Sequence, residues 1–119
     1  MGKTVFQGQA VIAAGDTDVD VIANKRFRIV DENSFGELLM TGSAIGLQAQ
    51  MFVGKANVME KSDISAANRI PQDPQDKLMD EIEIRAGQQL QLPVSNPTAG
   101  DLTVFWKIVL DDNVQYNMG

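Results

Sequence analysis

Residues 85–112 read RAGQQLQLPVSNPTAGDLTVFWKIVLDD, and the period of this stretch decides the fold. Leu90, Leu92 and Val94 alternate with Gln89, Gln91 and Pro93. After the turn-forming run Ser95 to Gly100, Leu102, Val104, Trp106, Ile108 and Leu110 alternate with Thr103, Phe105, Lys107 and Val109. Successive strand side chains point to opposite faces, so two period-two runs joined by a turn predict an antiparallel pair. Phe105 and Val109 fall on the otherwise polar face, which predicts a cover for that face: another sheet edge, a loop or another subunit. Pro93 lacks an N–H and belongs near a strand end or an edge.

Working outward, the same period recurs. In residues 3–13, KTVFQGQAVIA, Val5, Gln7, Gln9, Val11 and Ala13 share one face and Phe6, Ala10 and Ile12 take the other, which predicts a strand partly covered on both sides. In residues 15–23, GDTDVDVIA, Asp16, Asp18 and Asp20 alternate with Thr17, Val19 and Val21, so one side is wet. Lys25–Val30 offers a further strand, ended by the turn-rich DENSFG at 31–36. Residues 37–60, with glycines at 42, 46 and 54, suit a hairpin or two bent at the glycines. Residues 61–77, KSDISAANRIPQDPQDK, are polar, hold Pro71 and Pro74, and read as a long surface loop.

One segment supports two readings. Asp73 as cap, Pro74 at the first helical position, Leu78, Met79 and Ile82 at helical spacing and Gly87 as a stop outline a short helix near residues 74–84. Against this, Ile82, Ile84 and Ala86 alternate with Glu81, Glu83 and Arg85, which favours a strand after at most one helical turn near 74–79. The expectation is a single all-β domain over residues 1–119, an antiparallel β-sandwich or single jelly roll of about eight short strands.

Composition narrows the chemistry. The 119 residues contain no cysteine and no histidine, which excludes disulfides, thiolate metal sites, cysteine nucleophiles and every Ser/His or Cys/His arrangement. The formal charge of -6 opposes a phosphate backbone. Lys25, Arg26 and Arg28 are the one basic cluster and carry no aromatic interleaving for base stacking, so nucleic-acid binding is not expected. No apolar run approaches the ~20 residues of a membrane span, and no signal peptide is evident, so a soluble chain is expected. Phosphate-loop motifs are absent.

The remaining polar clusters have bland and chemical readings. Asp16, Asp18 and Asp20 open like an EF-hand loop, but Val21 stands at its sixth position and Phe27 at its twelfth, where glycine and glutamate are needed. Alternate strand residues lie about 6–7 Å apart, so the row alone cannot converge on one ion. It reads as a solvated edge, or as part of a Ca²⁺ or Mg²⁺ site shared between subunits; no other cofactor is expected. Asp111 with Asp112, and Asp80 with Glu81 and Glu83, offer paired carboxylates for a hydrolase, with nothing to place any two across a cleft. Trp106 shares the face of Val104 and Ile108 and reads as core rather than as a sugar platform. Met40, Met51, Met59 and Met79 read as core gap-fillers.

The stretch IEIRAGQQLQLPVSNPTAGDLTVFWKIVLDD, residues 82–112, resembles the last strands of small phage and virus structural proteins built on a single jelly roll, both capsid and decoration subunits. The resemblance implies a non-enzymatic virion protein that forms homo-oligomers or binds other virion structural proteins. Many capsid subunits carry a basic N-terminal arm for the genome, whereas only Lys3 precedes Gln7 here, so an outer or decorating subunit is implied. For a jelly roll the chain is small, so some strands are expected to be missing or very short. The candidate interface is Phe105 and Val109 with the loop Ser62 to Asp76, including Ile64 and Ile70. A carbohydrate- or cell-surface-binding sandwich module is the alternative.

Overall fold

The structure, a computed structural model, describes residues 3–72 and 75–112. Among these residues nine strands form two antiparallel sheets: β1 (Lys3–Ile12), β2 (Val19–Asp20), β3 (Ser34–Gly42), β4 (Gln48–Val53), β5 (Ala56–Asp63), β6 (Lys77–Ile84), β7 (Leu90–Gln91), β8 (Pro93–Ser95) and β9 (Leu102–Asp111). Sheet A has the order β1-β9-β3-β6. Sheet B has the order β2-β8-β4-β5, with β7 also on β4. The pairing is nested: β1 with β9, β2 with β8, β3 with β6, β4 with β5. The chain is therefore one long hairpin rolled into a sandwich, which is jelly-roll connectivity. Its innermost turn is Gly54-Lys55, between the partners Val53 and Ala56, with Gly54 at φ 60. An L-residue enters that region only at a cost, which explains glycine at the first turn position.

The inner faces are those the alternation picks out. Val104, Trp106, Ile108 and Leu110 of β9 meet Leu38 and Met40 of β3 and, from sheet B, Ala49, Met51, Leu90, Leu92 and Val94, all in one buried cluster. Met40, Met51 and Met59 are buried there and Met79 packs against it. Gly8 lets Trp106 approach: a Cβ at position 8 would stand 2.7 Å from Trp106 Cζ2. Burying these side chains supplies the main driving force, at about 25 cal/mol per Å² of apolar surface.

Several expectations are corrected. Leu90–Gln91, Pro93–Ser95 and Leu102–Asp111 are strands, but the first two lie in the sheet opposite the third and do not pair with it. Both present an apolar face to the same core, so the run Ser95 to Gly100 is a corner between layers. Asn96, fully buried, fixes that corner: its Nδ2 donates to the carbonyls of Ile12 and Gly100, both at 2.8 Å, and its Oδ1 accepts from Thr98 N–H at 3.0 Å and Thr98 Oγ1 at 2.6 Å. Pro93 starts β8, as its missing N–H requires. Just before it, Leu92 N–H donates to Asp20 Oδ1 at 3.0 Å, so a side chain replaces a ladder partner where β7 and β8 separate.

Lys25–Val30 is not a strand. Arg26–Arg28 form a 3-10 turn closed by local bonds from Arg28 N–H to Lys25 O and from Ile29 N–H to Arg26 O, and the segment pairs across only at its end, where Ile29 bridges to Gln89 and Val30 N–H donates to Gln88 O at 3.0 Å. Residues 77–84 are strand, not helix. The apparent helical spacing of Leu78, Met79 and Ile82 comes from irregular register: Leu39, Leu38 and Gly36 of β3 face Lys77, Met79 and Ile82 of β6, so β6 carries extra residues, and Glu81 takes a left-handed φ of 52. Extra residues shift a two-residue period into one that mimics three and four. Asp73 and Pro74, the expected cap and first helical position, lie outside the described residues.

Candidate functional site

The outward face of sheet A is built by three adjacent strands. Val109 stands between Val5 of β1 and Glu37 of β3, Lys107 between Gln7 and Leu39, and Phe105 between Gln9 and Thr41, while Val11 faces Thr103. The β1 side is open: Val5 is 52% and Val11 67% exposed, so that face of β1 is uncovered rather than partly covered. Phe105 and Val109 are half-buried. On the β3 side, Leu39 and Thr41 point away from the core residues Leu38 and Met40 yet are fully buried. The cover near Thr41 is the segment between β5 and β6. Thr41 Oγ1 donates to Arg69 O, Gly42 N–H donates to Ser65 O at 2.8 Å, and the N–H groups of Ala67 and Asn68 both donate to Gly42 O.

That polar loop is thus a strap fastened to β3. Its return is held by Asp76, which is buried and pairs with the Arg69 guanidinium, accepts from Gln72 N–H at 2.8 Å, and whose own carbonyl accepts from Met40 N–H at 3.1 Å. Burial pushes the Asp76 carboxyl upward, but the Gln72 N–H and the Arg69 charge outweigh it, and the carboxyl ends below the ordinary aspartate value. Of the two loop residues expected at an interface, Ile70 is half-buried in the strap, whereas Ile64 is 4% exposed and belongs to the core cluster. Ile64 is corrected on this ground: its N–H bonds to Leu47 O, which turns the chain end of β5 inward and leaves no side chain for a partner.

The aspartate row is not an alternating edge. Only Val19 and Asp20 are strand, and Asp18 at φ 53 breaks the two-residue period. Two of the three carboxylates have structural neighbours. Asp18 Oδ1 accepts from Gln50 Nε2 at 3.3 Å and from Ser95 Oγ at 3.4 Å and lies 3.8 Å from Lys61 Nζ, while Asp20 Oδ1 caps the N–H groups of Ile22 and Leu92. Asp16 is exposed, and its backbone carbonyl accepts from Asn96 N–H at 2.8 Å. Among the described residues no three acidic side chains gather at metal-binding distance. Two carboxylates of β6 are likewise engaged: Asp80 lies 3.5 Å from Lys77 Nζ and Glu83 lies 3.4 Å from Arg85.

A cleft of about 370 Å³ opens at the end of the sandwich where the 3-10 turn crosses from sheet B to sheet A. Phe6 of β1, Ile29 and Leu110 give it apolar walls, and Arg26, Glu32 and Asp112 give it charges of both signs. Sequence alone does not show this cleft, because its walls come from segments far apart in the chain. The strap's anchor escapes it for the same reason. The buried corner does leave a trace, the Asn96-Pro97 dipeptide, which favours a turn. Trp106 is 2% exposed and lines the core, not a ligand surface. Among the described residues no helix is long and apolar enough to cross a membrane. Comparison with protein-family models, with curated proteins and with solved structures finds no match to this chain.

Proposed function

We propose that the chain is a non-enzymatic structural protein, a capsid or decoration subunit of a virion, which assembles with copies of itself or with the lattice it decorates through the outward face of sheet A. The observation that carries this reading is the apolar set Val5, Val11, Phe105 and Val109 on a face whose neighbouring positions are Gln7, Gln9, Thr103 and Lys107. Exposed apolar side chains grouped on one sheet face mark a surface meant to be covered. Jelly-roll connectivity and the resemblance of residues 82–112 to virion subunits support the same class.

The test is Phe105→Asp, with the mass in solution read by sedimentation velocity over a concentration series and the fold by circular dichroism. A folded chain that has lost the wild-type oligomer is the expected result. A variant that assembles like wild type removes this face from the proposal. The end cleft favours a second reading, a module that binds a small polar ligand such as a glycan. Its volume lies within the range of small-molecule sites, roughly 300–1,000 Å³, and it pairs an aromatic wall with charged groups. Binding on a glycan array that Phe6→Ala abolishes would carry that reading; silence across the array would reject it.

A further inference from the structure

We propose that β1 is a homodimerisation edge: a second copy of the chain lays its own β1 antiparallel against this one, joining two copies of sheet A across a two-fold axis at Gly8. The proposal deepens the assembly reading above, on which it rests, by naming the contact and its register.

The four sheet edges are not alike. β2 has two residues, one of them Asp20, and follows directly on Asp18. β5 carries Glu60, Lys61 and Asp63 and two register shifts against β4. β6 carries Lys77, Asp80, Glu81 and Glu83, two register shifts and a left-handed residue. Charges, irregular register and shortness are the devices that stop sheet edges from pairing with other chains. Among the described residues β1 has none of them. It runs for ten residues, has ten consecutive partners in β9 without a shift, holds no proline, and carries one charge, Lys3, at its start. Such an edge is a template for another strand.

The occupant follows from the sequence of the edge. Val5-Phe6-Gln7-Gly8-Gln9-Ala10-Val11 is nearly symmetric about Gly8. A two-fold contact needs a self-complementary patch. With Gly8 opposite Gly8, the outward side would match Val5 with Val11 and Gln7 with Gln9 of the second copy. The inward side would match the large Phe6 with the small Ala10. Two chains of charge -6 repel, and this neutral strip lets them meet without opposing carboxylates. The joined sheet would also make the apolar positions Val5, Val109, Phe105 and Val11 of both copies one continuous surface.

The absence of native cysteine allows a direct test. Val5→Cys and Val11→Cys are made separately, at positions 52% and 67% exposed, so neither disturbs the core. In the proposed register the two new thiols face each other only in mixed pairs, with Cα atoms about 4.5–5.5 Å apart, within disulfide reach. Two copies of the same variant hold their thiols six residues apart along the strands, about 20 Å. Mild oxidation of the mixture should give a covalent dimer, and neither variant alone should. No mixed product, or equal yield from a single variant, overturns the proposal whatever covers the edge instead. A second measurement needs no oxidation. Gln7→Lys with Gln9→Lys places like charges opposite each other twice and should weaken the dimer about tenfold, while Gln7→Lys with Gln9→Glu should restore it. Equal effects of the two pairs would refute the register. In the Phe105→Asp background the mixed disulfide should persist, so loss of the face and loss of the edge are told apart.

Discussion

Replacing Asn96 by alanine should destabilise the fold more than any exposed substitution, and the size of the effect follows from its contacts. The side chain makes four hydrogen bonds in a fully buried position: two donated to Ile12 and Gly100 carbonyls and two accepted from Thr98. At a net ~1 kcal/mol each these amount to about 4 kcal/mol. Gly100 O keeps a partner in Thr98 Oγ1 at 3.0 Å, which lowers the expected loss toward ~3 kcal/mol. That is a large fraction of the roughly 5–15 kcal/mol that holds a domain folded. The assay is urea unfolding followed by the fluorescence of Trp106, which is 2% exposed when folded and meets water when unfolded. With m near ~2 kcal/mol/M, the midpoint should fall by roughly 1.5–2 M at constant m. A loss under about 1 kcal/mol would refute the argument that this amide holds the corner. Asn96→Asp keeps the acceptor and sets a carboxylate against two carbonyls, so it should be least damaging at acid pH, where the protonated group regains one donor.

Asp76 gives the chain an acid-sensitive strap. Its folded carboxyl titrates below the ordinary value, so its stabilisation is present above about pH 4 and is lost as pH falls through the lower folded value. Melting temperature measured against pH should show wild type losing stability in that acid window, with Asp76→Asn less stable at neutral pH and flatter below it. Gly8→Ala should cost about 1–3 kcal/mol through the clash with Trp106, read as a drop in melting temperature, and Trp106→Phe in the same chain should recover part of the loss. Additive losses from the two substitutions would count against that contact.

The strands with an unbroken two-residue period were legible. Residues 102–111 form the strand their alternation predicts, with Val104, Trp106 and Ile108 inward, and β1 likewise turns Phe6, Ala10 and Ile12 to the core. The sandwich class follows from that period. Pairing does not, because alternation says which face is buried and not which neighbour lies alongside, so residues 90–95 and 102–111 fall in different layers. Aspartate positions misread where side chains bond to backbone: Asp18 and Asp20 are placed by Ser95, Ile22 and Leu92, and such bonds compete with regular ladders without altering the apolar pattern. Phe105 and Val109 stood out as apolar on a polar face. Ile64 looked like its loop neighbours because burial in a strap depends on contacts with Leu47, seventeen positions earlier.

Nested pairing also sets an order in time. Among the described residues β1 finds its in-sheet neighbour only in β9, between 90 residues away at Ile12 and Leu102 and 108 at Lys3 and Asp111. At about 5–20 residues per second of synthesis, the first strand waits roughly 5–20 s for the last. Through that interval a ten-residue strand whose one charge is Lys3 has both of its sides unsatisfied, and neighbouring ribosomes on one message display the same segment. Slow closure over so long a loop is the kinetic cost of this topology. It places the chain's greatest exposure to misassembly during its own synthesis rather than after folding.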